Sequence, residues 1–400
     1  MNKTTLIVLT IAVLLSLYTH FIVLENFMMP TFGNTNIHVA IARHIIEYGN
    51  YPLQDYSYGG TAPNLYVPLY RILLAALVWT SGLSFDTASR LIVIIVTILL
   101  PIGFYFLGRK LFGETTGLIS AFVASVPPEL LYYTVRPLPQ AVGMMLLVFA
   151  LYFLFKNSKW SLLFAFVLAL MHQETAAFYG LVCFFYLIYL FYQKTAYHLM
   201  LPALILVAVG LNTLSTYYED GLNILFSTLT IAVLYGLLIE TNKFLFKIKM
   251  HLLFLKNNFT SIFKKDKKII VFTGILVAVT YLSWHYFIVG NLRLWELSQF
   301  KYSEGTLVDL SVFLRATGLF LTVFTVIGLI FAFIFKKQRL LWLLLLALSF
   351  LLIKNDLIGI KAFMDRYIVY VMIFMIPLAA FGIEKLFSLG TKLDKGFKSK

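Results

Sequence analysis

Glu25, Asn34, His38, Arg43, Glu47 and Asp55 fall within one polar stretch, 25–64, of a chain otherwise dominated by hydrocarbon side chains. A carboxylate can take a proton from a hydroxyl nucleophile, and arginines or histidines can hold a phosphate as it departs. The same residue types recur as Arg136, as the neighbours His172 and Glu174, and as Arg366 beside Asp365. Together they are enough for group transfer between polar partners. Their wide separation along the chain means that the fold must gather them.

The composition says what kind of fold that is. Of 400 residues, 60% are hydrophobic, 17% aromatic and only 12% charged. Soluble domains carry about 25% charge. Mean hydropathy is +0.88. Apolar runs of roughly 20 residues, each long enough to cross the hydrocarbon core as a helix, recur along the length. The short alternating strands of a membrane barrel are missing from the pattern. The reading is an all-α, polytopic transmembrane helical protein forming a single transmembrane domain over 1–400. The only cysteine, Cys183, lies mid-span, which excludes a disulfide framework. Thr5 to Leu24 has no small-residue cleavage site after it and reads as a retained signal-anchor helix.

With Thr5 to Leu24, runs near 88–108, 115–135, 138–155, 160–173, 174–192, 198–217, 222–240, 269–290, 312–335, 340–354 and 367–387 make about 12 spans. Leu65 to Gly82 is ambiguous, because it holds Arg71 and opens around Pro63 and Pro68. The positive-inside rule arbitrates. If Leu65 to Gly82 lies along the outer surface, 22 of the 32 basic residues face the cytoplasm. If it crosses, those clusters move outside. The expected topology is therefore a multi-pass cell-membrane protein with both termini cytoplasmic and Arg71 at the surface. The lysine-rich, apolar-interleaved run 243–268 reads as a basic amphipathic segment on the cytoplasmic leaflet or as a topology-setting loop. No nucleic-acid recognition motif accompanies the charge.

On that topology the extracytoplasmic loop 25–87 holds two interfacial helices. Asn34 suits a helix cap. At about 100° per residue, Asn36, Ala40, Arg43 and Glu47 share one face, while Ile37, Ile41, Ile45 and Tyr48 share another with His38 beside them.

Several stretches resemble, in order, the GT-C superfamily of lipid-linked-sugar glycosyltransferases, which includes protein mannosyltransferases and aminoarabinose transferases. Gly33-Asn34-Thr35-Asn36-Ile37-His38, followed by Ala42-Arg43, Gly49 and Tyr51-Pro52, resembles the first-loop pattern. Ala88-Ser89-Arg90-Leu91, leading to Gly108 through Gly113, resembles the second span and its turn. Leu170-Met171-His172-Gln173-Glu174-Thr175 is similar to an outer turn, and Asp365-Arg366-Tyr367 to the start of a late helix.

The resemblance implies transfer of a sugar from a polyprenyl-phosphate donor to an extracytoplasmic acceptor, which is a glycan, lipid or protein. It implies Asn34, His38, Arg43, Arg136, His172 and Arg366 as substrate-binding residues, with Arg366 on the lipid phosphate. In one respect the chain departs from the pattern. Asn34 stands where the family has an aspartate, and an amide cannot act as a base. Asp55 or Glu25 then supplies the catalytic carboxylate, or Glu174 or Glu129 contributes from span ends, or the scaffold has lost the reaction. No ligand pattern for a structural metal is present, and a divalent cofactor is left open. The rival class is a transporter or flippase for a lipid-linked or small polar substrate, for which broken helices and midplane polar residues are expected.

Overall fold

Helix α1 (Lys3–Asn26) opens the computed structural model, which describes residues 3–26, 35–55, 62–63, 66–192, 265–289, 308, 310–335, 339–354 and 364–398. Two shorter helices follow, α2 (Thr35–Tyr48) and α3 (Leu69–Ser81). Between them a two-residue antiparallel pair, β1 (Gln54–Asp55) with β2 (Ala62–Pro63), sets Asp55 against Ala62. The rest of the described chain is helical. It comprises α4 (Phe85–Phe112), α5 (Glu114–Val123), α6 (Pro128–Thr134), α7 (Pro139–Phe155), α8 (Trp160–Met171) and α9 (Gln173–Tyr192). Beyond residue 264 come α10 (Lys265–Val289), α11 (Leu310–Thr317), α12 (Leu319–Ile334), α13 (Arg339–Ile353) and α14 (Met364–Lys398). The expected spans 198–217 and 222–240, most of the basic segment 243–268 and nearly all of 291–309 lie outside the described residues.

Local chemistry sets the helix ends. Pro68 precedes α3, and prolines occupy the first turns of α6 and α7, where a missing N–H costs nothing. Ser84 accepts from the Thr87 amide to cap α4, whose last turn carries Arg109 and Lys110 toward the negative end of its dipole.

Among the described residues three helices are long and apolar enough to cross a bilayer: Lys3–Val23, Phe85–Phe112 and Arg366–Leu389. Two further pairs pass together but are bent, α6–α7 by 117° and α11–α12 by 97°. The α6–α7 bend falls at 135–138, where the sequence reading separates the runs 115–135 and 138–155, whereas the α11–α12 bend corrects the single span read through 312–335. The run 115–135 is also broken, between α5 and α6, where Pro127-Pro128 cannot donate to a helical ladder. Gly318, at φ +78°, turns the chain between α11 and α12.

α14 is the hub, with Ile368 to Phe381 buried almost all round. Its tightest neighbour is α12. A Cβ on Gly328 would collide with the Leu378 carbonyl, and one on Gly382 would lie 2.6 Å from the Phe324 carbonyl oxygen. Close backbone approach through small residues is how helices associate where lipid removes the hydrophobic drive. Phe112 stacks on Phe381 at 4.3 Å and on the buried Trp342 at 5.3 Å, joining α4, α13 and α14.

Polar ties fix the remaining helices. At one end Glu114 accepts from Tyr105 (2.6 Å) and Thr5 (3.1 Å) and pairs with Arg109 (2.7 Å), which binds α1 to the α4–α5 turn. Toward the other end, His20 of α1 meets Thr134 of α6 at 2.8 Å. The last turn of α1, with Glu25, is therefore carried to the end of the bundle where α6, α2 and α3 gather.

Candidate functional site

Helix α2 turns Thr35, His38, Ile41 and Ala42 inward and leaves Asn36, Ala40, Arg43 and Glu47 exposed, the amphipathic split read from the sequence. Only Tyr48, expected on the apolar face, is exposed instead. His38 sits edge-on to Tyr66 and Tyr70, with ring centroids 5.3 and 5.7 Å away. Tyr70 and Arg71 belong to the first turn of α3. The Tyr70 hydroxyl donates to the Pro137 carbonyl at 2.6 Å and so docks α3 on the α6–α7 linker.

Arg71 overturns the expectation that its charge lies at the surface, being only 1% exposed. An otherwise apolar helix beside lipid offers its one charge no water on any face, so the protein interior takes it. Its guanidinium donates to His38 Nδ1 at 2.8 Å and to the Val67 carbonyl, and lies over the Tyr66 ring at 4.6 Å. None of these partners is a carboxylate, and Arg71 Nε makes no hydrogen bond. A buried guanidinium without a counter-charge is costly by itself. Burial lowers its pKa, and the phenol oxygens of Tyr51, Tyr66 and Tyr70, with a hydrogen bond to Tyr51, partly offset this.

From the opposite side comes the break between α8 and α9. His172 there is extended (φ −157°, ψ 117°), and its Nδ1 faces Thr175 Oγ1 at 2.8 Å and the Thr175 amide at 3.3 Å. Thr175 Oγ1 continues to the Tyr370 hydroxyl of α14 at 3.1 Å, with the Gln140 side chain against that hydroxyl. One turn before Tyr370, Arg366 pairs loosely with Glu174 at 3.7 Å.

Arg136, in the α6–α7 linker, lies flat over Tyr132 at 3.4 Å. Its pKa falls to about 10 through burial, with Glu129 opposing and Arg366 adding repulsion. Burial, then Arg71 and Arg366, push His172 down to about 3. Burial, then Arg71 and His172, hold His38 well below its ordinary value. The field of Arg71 reaches His38 and His172, and that of Arg366 reaches His172 and Arg136, so these five residues form one cationic cluster at one end of the bundle.

The structure thus brings together five sequence-predicted residues: His38, Arg136, His172, Glu174 and Arg366. Arg43 is placed elsewhere, on the exposed face of α2, 5.5 Å above the Phe85 ring. Asn34 lies outside the described residues. Glu25 and Asp55 are placed by backbone, at the end of α1 and in β1, while their side chains lie outside the description. Among the described residues no three histidine, cysteine, aspartate or glutamate side chains gather closely enough to hold a metal ion. Sequence reasoning missed Arg71, Tyr66, Tyr70, Thr175, Tyr370 and Gln140 as members of the cluster. Arg71 carried a readable signal as a lone charge in an apolar helix. The tyrosines carried none, because 24 are spread along the chain.

Two short helices folded over this cluster at the end of a bundle with membrane-length helices give an all-helical architecture of a polytopic membrane protein. Residues 68–218 match the sequence profile of the family described as dolichyl-phosphate-mannose-protein mannosyltransferase. The archaeal oligosaccharyltransferase AglB from Archaeoglobus fulgidus, in complex with an inhibitory peptide and a dolichol-phosphate, superposes with a TM-score of 0.56 at 14% identity. That superposition covers 98% of this chain and 52% of AglB. The oligosaccharyltransferase of the same organism, tethered to an acceptor peptide containing the NVT sequon, gives 0.55 at 14% identity over 97% of this chain and 50% of that one. Its complex with Zn and sulfate gives 0.51 at 16% identity, over 95% and 49%. The chain therefore spans about half the length of the structures it resembles. Comparison with curated protein sequences gives no match.

Proposed function

We propose that this protein is a membrane glycosyltransferase that moves a sugar from a polyprenyl-phosphate donor to an extracytoplasmic acceptor. The observation that carries the reading is Arg71, a buried guanidinium with no carboxylate partner among the described residues, set among Arg136, Arg366 and two histidines on a GT-C-like fold. Such a cluster is stabilised by an anion. In sugar transfer the phosphate oxygen gains negative charge as the glycosidic bond breaks, and fixed cations stabilise that charge most in the transition state. The dolichol-phosphate bound by AglB and the mannosyltransferase family profile support a lipid phosphate as the anion.

Arg71 and Arg366 hold the phosphate from two sides, and Arg136 adds charge at the rim. Glu174 is engaged by Arg366 and orients it. Asp55 is the base that takes the acceptor proton, because the β1–β2 pair holds its backbone in the loop between the helix of His38 and the helix of Arg71. Glu25, at the end of α1 on the same side, is the alternative. The cluster faces outward, the termini are cytoplasmic and the acceptor meets the site from the extracytoplasmic side.

The bent helix pairs are the one feature that suits a transporter. Their short arms, α6 and α11, pack on each other, and the α6–α7 linker is tied to Tyr70 of the cluster. The breaks therefore shape the rim of the site rather than a midplane pathway, and the enzyme reading stands. The test is equilibrium binding of polyprenyl phosphate to the full chain in lipid nanodiscs. Arg71→Ala and Arg366→Ala should each weaken it about 10- to 100-fold, the loss of a charge-assisted hydrogen bond. Unchanged affinity in both variants would remove the proposed phosphate site.

A further inference from the structure

His38 and His172 share a detail that charge does not explain. Each offers Nδ1 only to a group that must donate. Arg71 has no acceptor atom, so His38 Nδ1, 2.8 Å away, carries no proton. The Thr175 amide, 3.3 Å from His172 Nδ1, can only donate as well. Thr175 Oγ1 must then give its own hydrogen to His172 Nδ1 at 2.8 Å and accept from the Tyr370 hydroxyl at 3.1 Å. The relay has one direction, from Tyr370 through Thr175 to His172. It leaves the single proton of each neutral ring on Nε2, and neither Nε2 makes a hydrogen bond among the described residues.

We infer that His38 and His172 are a pair of fixed-tautomer, uncharged Nε2–H donors that recognise hydroxyl oxygens of the transferred sugar, with Thr175 and Tyr370 as positioning residues. This rests on the glycosyl-transfer reading. Three arginines already supply charge for the phosphate, and both rings stay neutral, through burial first and then through Arg71 and His172 at His38 and Arg71 and Arg366 at His172. A neutral donor discriminates hydroxyls, and the loss of such a bond leaves a buried polar group unmatched. The aromatic faces of Tyr66 and Tyr70 around His38 add apolar surface suited to a sugar ring.

The test compares bare polyprenyl phosphate with its hexose-bearing form, so it does not depend on turnover or on knowing the acceptor. Wild-type protein should bind the sugar-bearing lipid about tenfold more tightly, a difference of one good hydrogen bond or two modest ones. Thr175→Val removes the shorter of the two bonds to His172 Nδ1 and leaves the backbone amide, so it should reduce that preference. His172→Ala removes the donor and should erase it, while His172→Gln, whose amide N–H replaces Nε2–H, should restore it. NMR of isotope-labelled histidine in the wild-type full chain should show Nε2–H tautomers for both residues, and the same tautomers at about pH 5.5.

A protonated or Nδ1–H ring at either position would overturn the inference. So would a wild-type protein without preference, or His172→Ala weakening both lipids equally. Failure of wild-type protein to bind either lipid would instead count against the glycosyl-transfer reading, and the NMR result would still decide the tautomers.

Discussion

Arg71 shows at the residue scale how the site works. Its fork donates to His38 and to the Val67 carbonyl at once, a geometry that an ammonium group cannot reproduce. Arg71→Lys keeps the charge but should still weaken polyprenyl-phosphate binding about tenfold, one charge-assisted hydrogen bond. An unchanged dissociation constant would mean that only the charge matters. His172 makes a second prediction, about pH. Its folded pKa of about 3 lies below the unfolded value of 6.5, so between them the unfolded chain holds more protons and stability rises with pH. Acidifying from 6.5 to about pH 5 should cost about 2 kcal/mol through His172 alone, at about 1.36 kcal/mol per pH unit. Thermal unfolding of detergent-solubilised protein should show this as a lowered midpoint, and His172→Gln should flatten the dependence. Residues near span ends, such as His172 and Arg366, were legible because an ionisable group beside lipid needs a reason to persist. Thr175 and Tyr370 were not, since a hydroxyl in an apolar helix more often bonds its own backbone.

Helices are where the sequence was most readable and also where it misled. The runs at 88–108, 138–155, 160–173, 174–192 and 367–387 correspond to α4, α7, α8, α9 and α14, because in lipid an uninterrupted apolar run has little choice but to be a helix. Hydropathy is blind to breaks, however. Gly318 barely changes the mean over a window of spanning length, yet the chain turns by 97° there. Nor does hydropathy reveal contact, so the glycines at 328 and 382 gave no warning that α12 and α14 meet backbone to backbone. Gly328→Leu should force these helices apart, costing about 1–3 kcal/mol as overpacking does. A lowered thermal midpoint for that variant is expected, and an unchanged one would mean that α12 does not pack against α14 as described. The amphipathic split of α2 was legible from its period. The burial of Arg71 in α3 was not, since an apolar helix with a single charge has no periodicity from which to read a face.

For the molecule as a whole, topology decides whether the cluster meets lipid-linked sugar from outside. Lysine placement alone implied the orientation, and Cys183, buried at 1% exposure, leaves the chain without a reactive background thiol. In intact cells an impermeant thiol reagent should label Glu47→Cys directly and Lys110→Cys only after permeabilisation. The opposite pattern would invert the account. The sequence resemblance reached the fold because the order of short motifs follows the order of helices. It stopped short of the base because Asn34 occupies the position where the resemblance led one to expect an aspartate. The most direct test of the central claim is transfer itself, by full-length protein in nanodiscs supplied with a panel of labelled polyprenyl-phosphate sugars and a membrane extract as acceptor. Label should leave the lipid fraction with one donor, and Asp55→Asn should abolish that transfer while the donor still binds. If no donor in the panel is bound or consumed, the protein is not the glycosyltransferase proposed here.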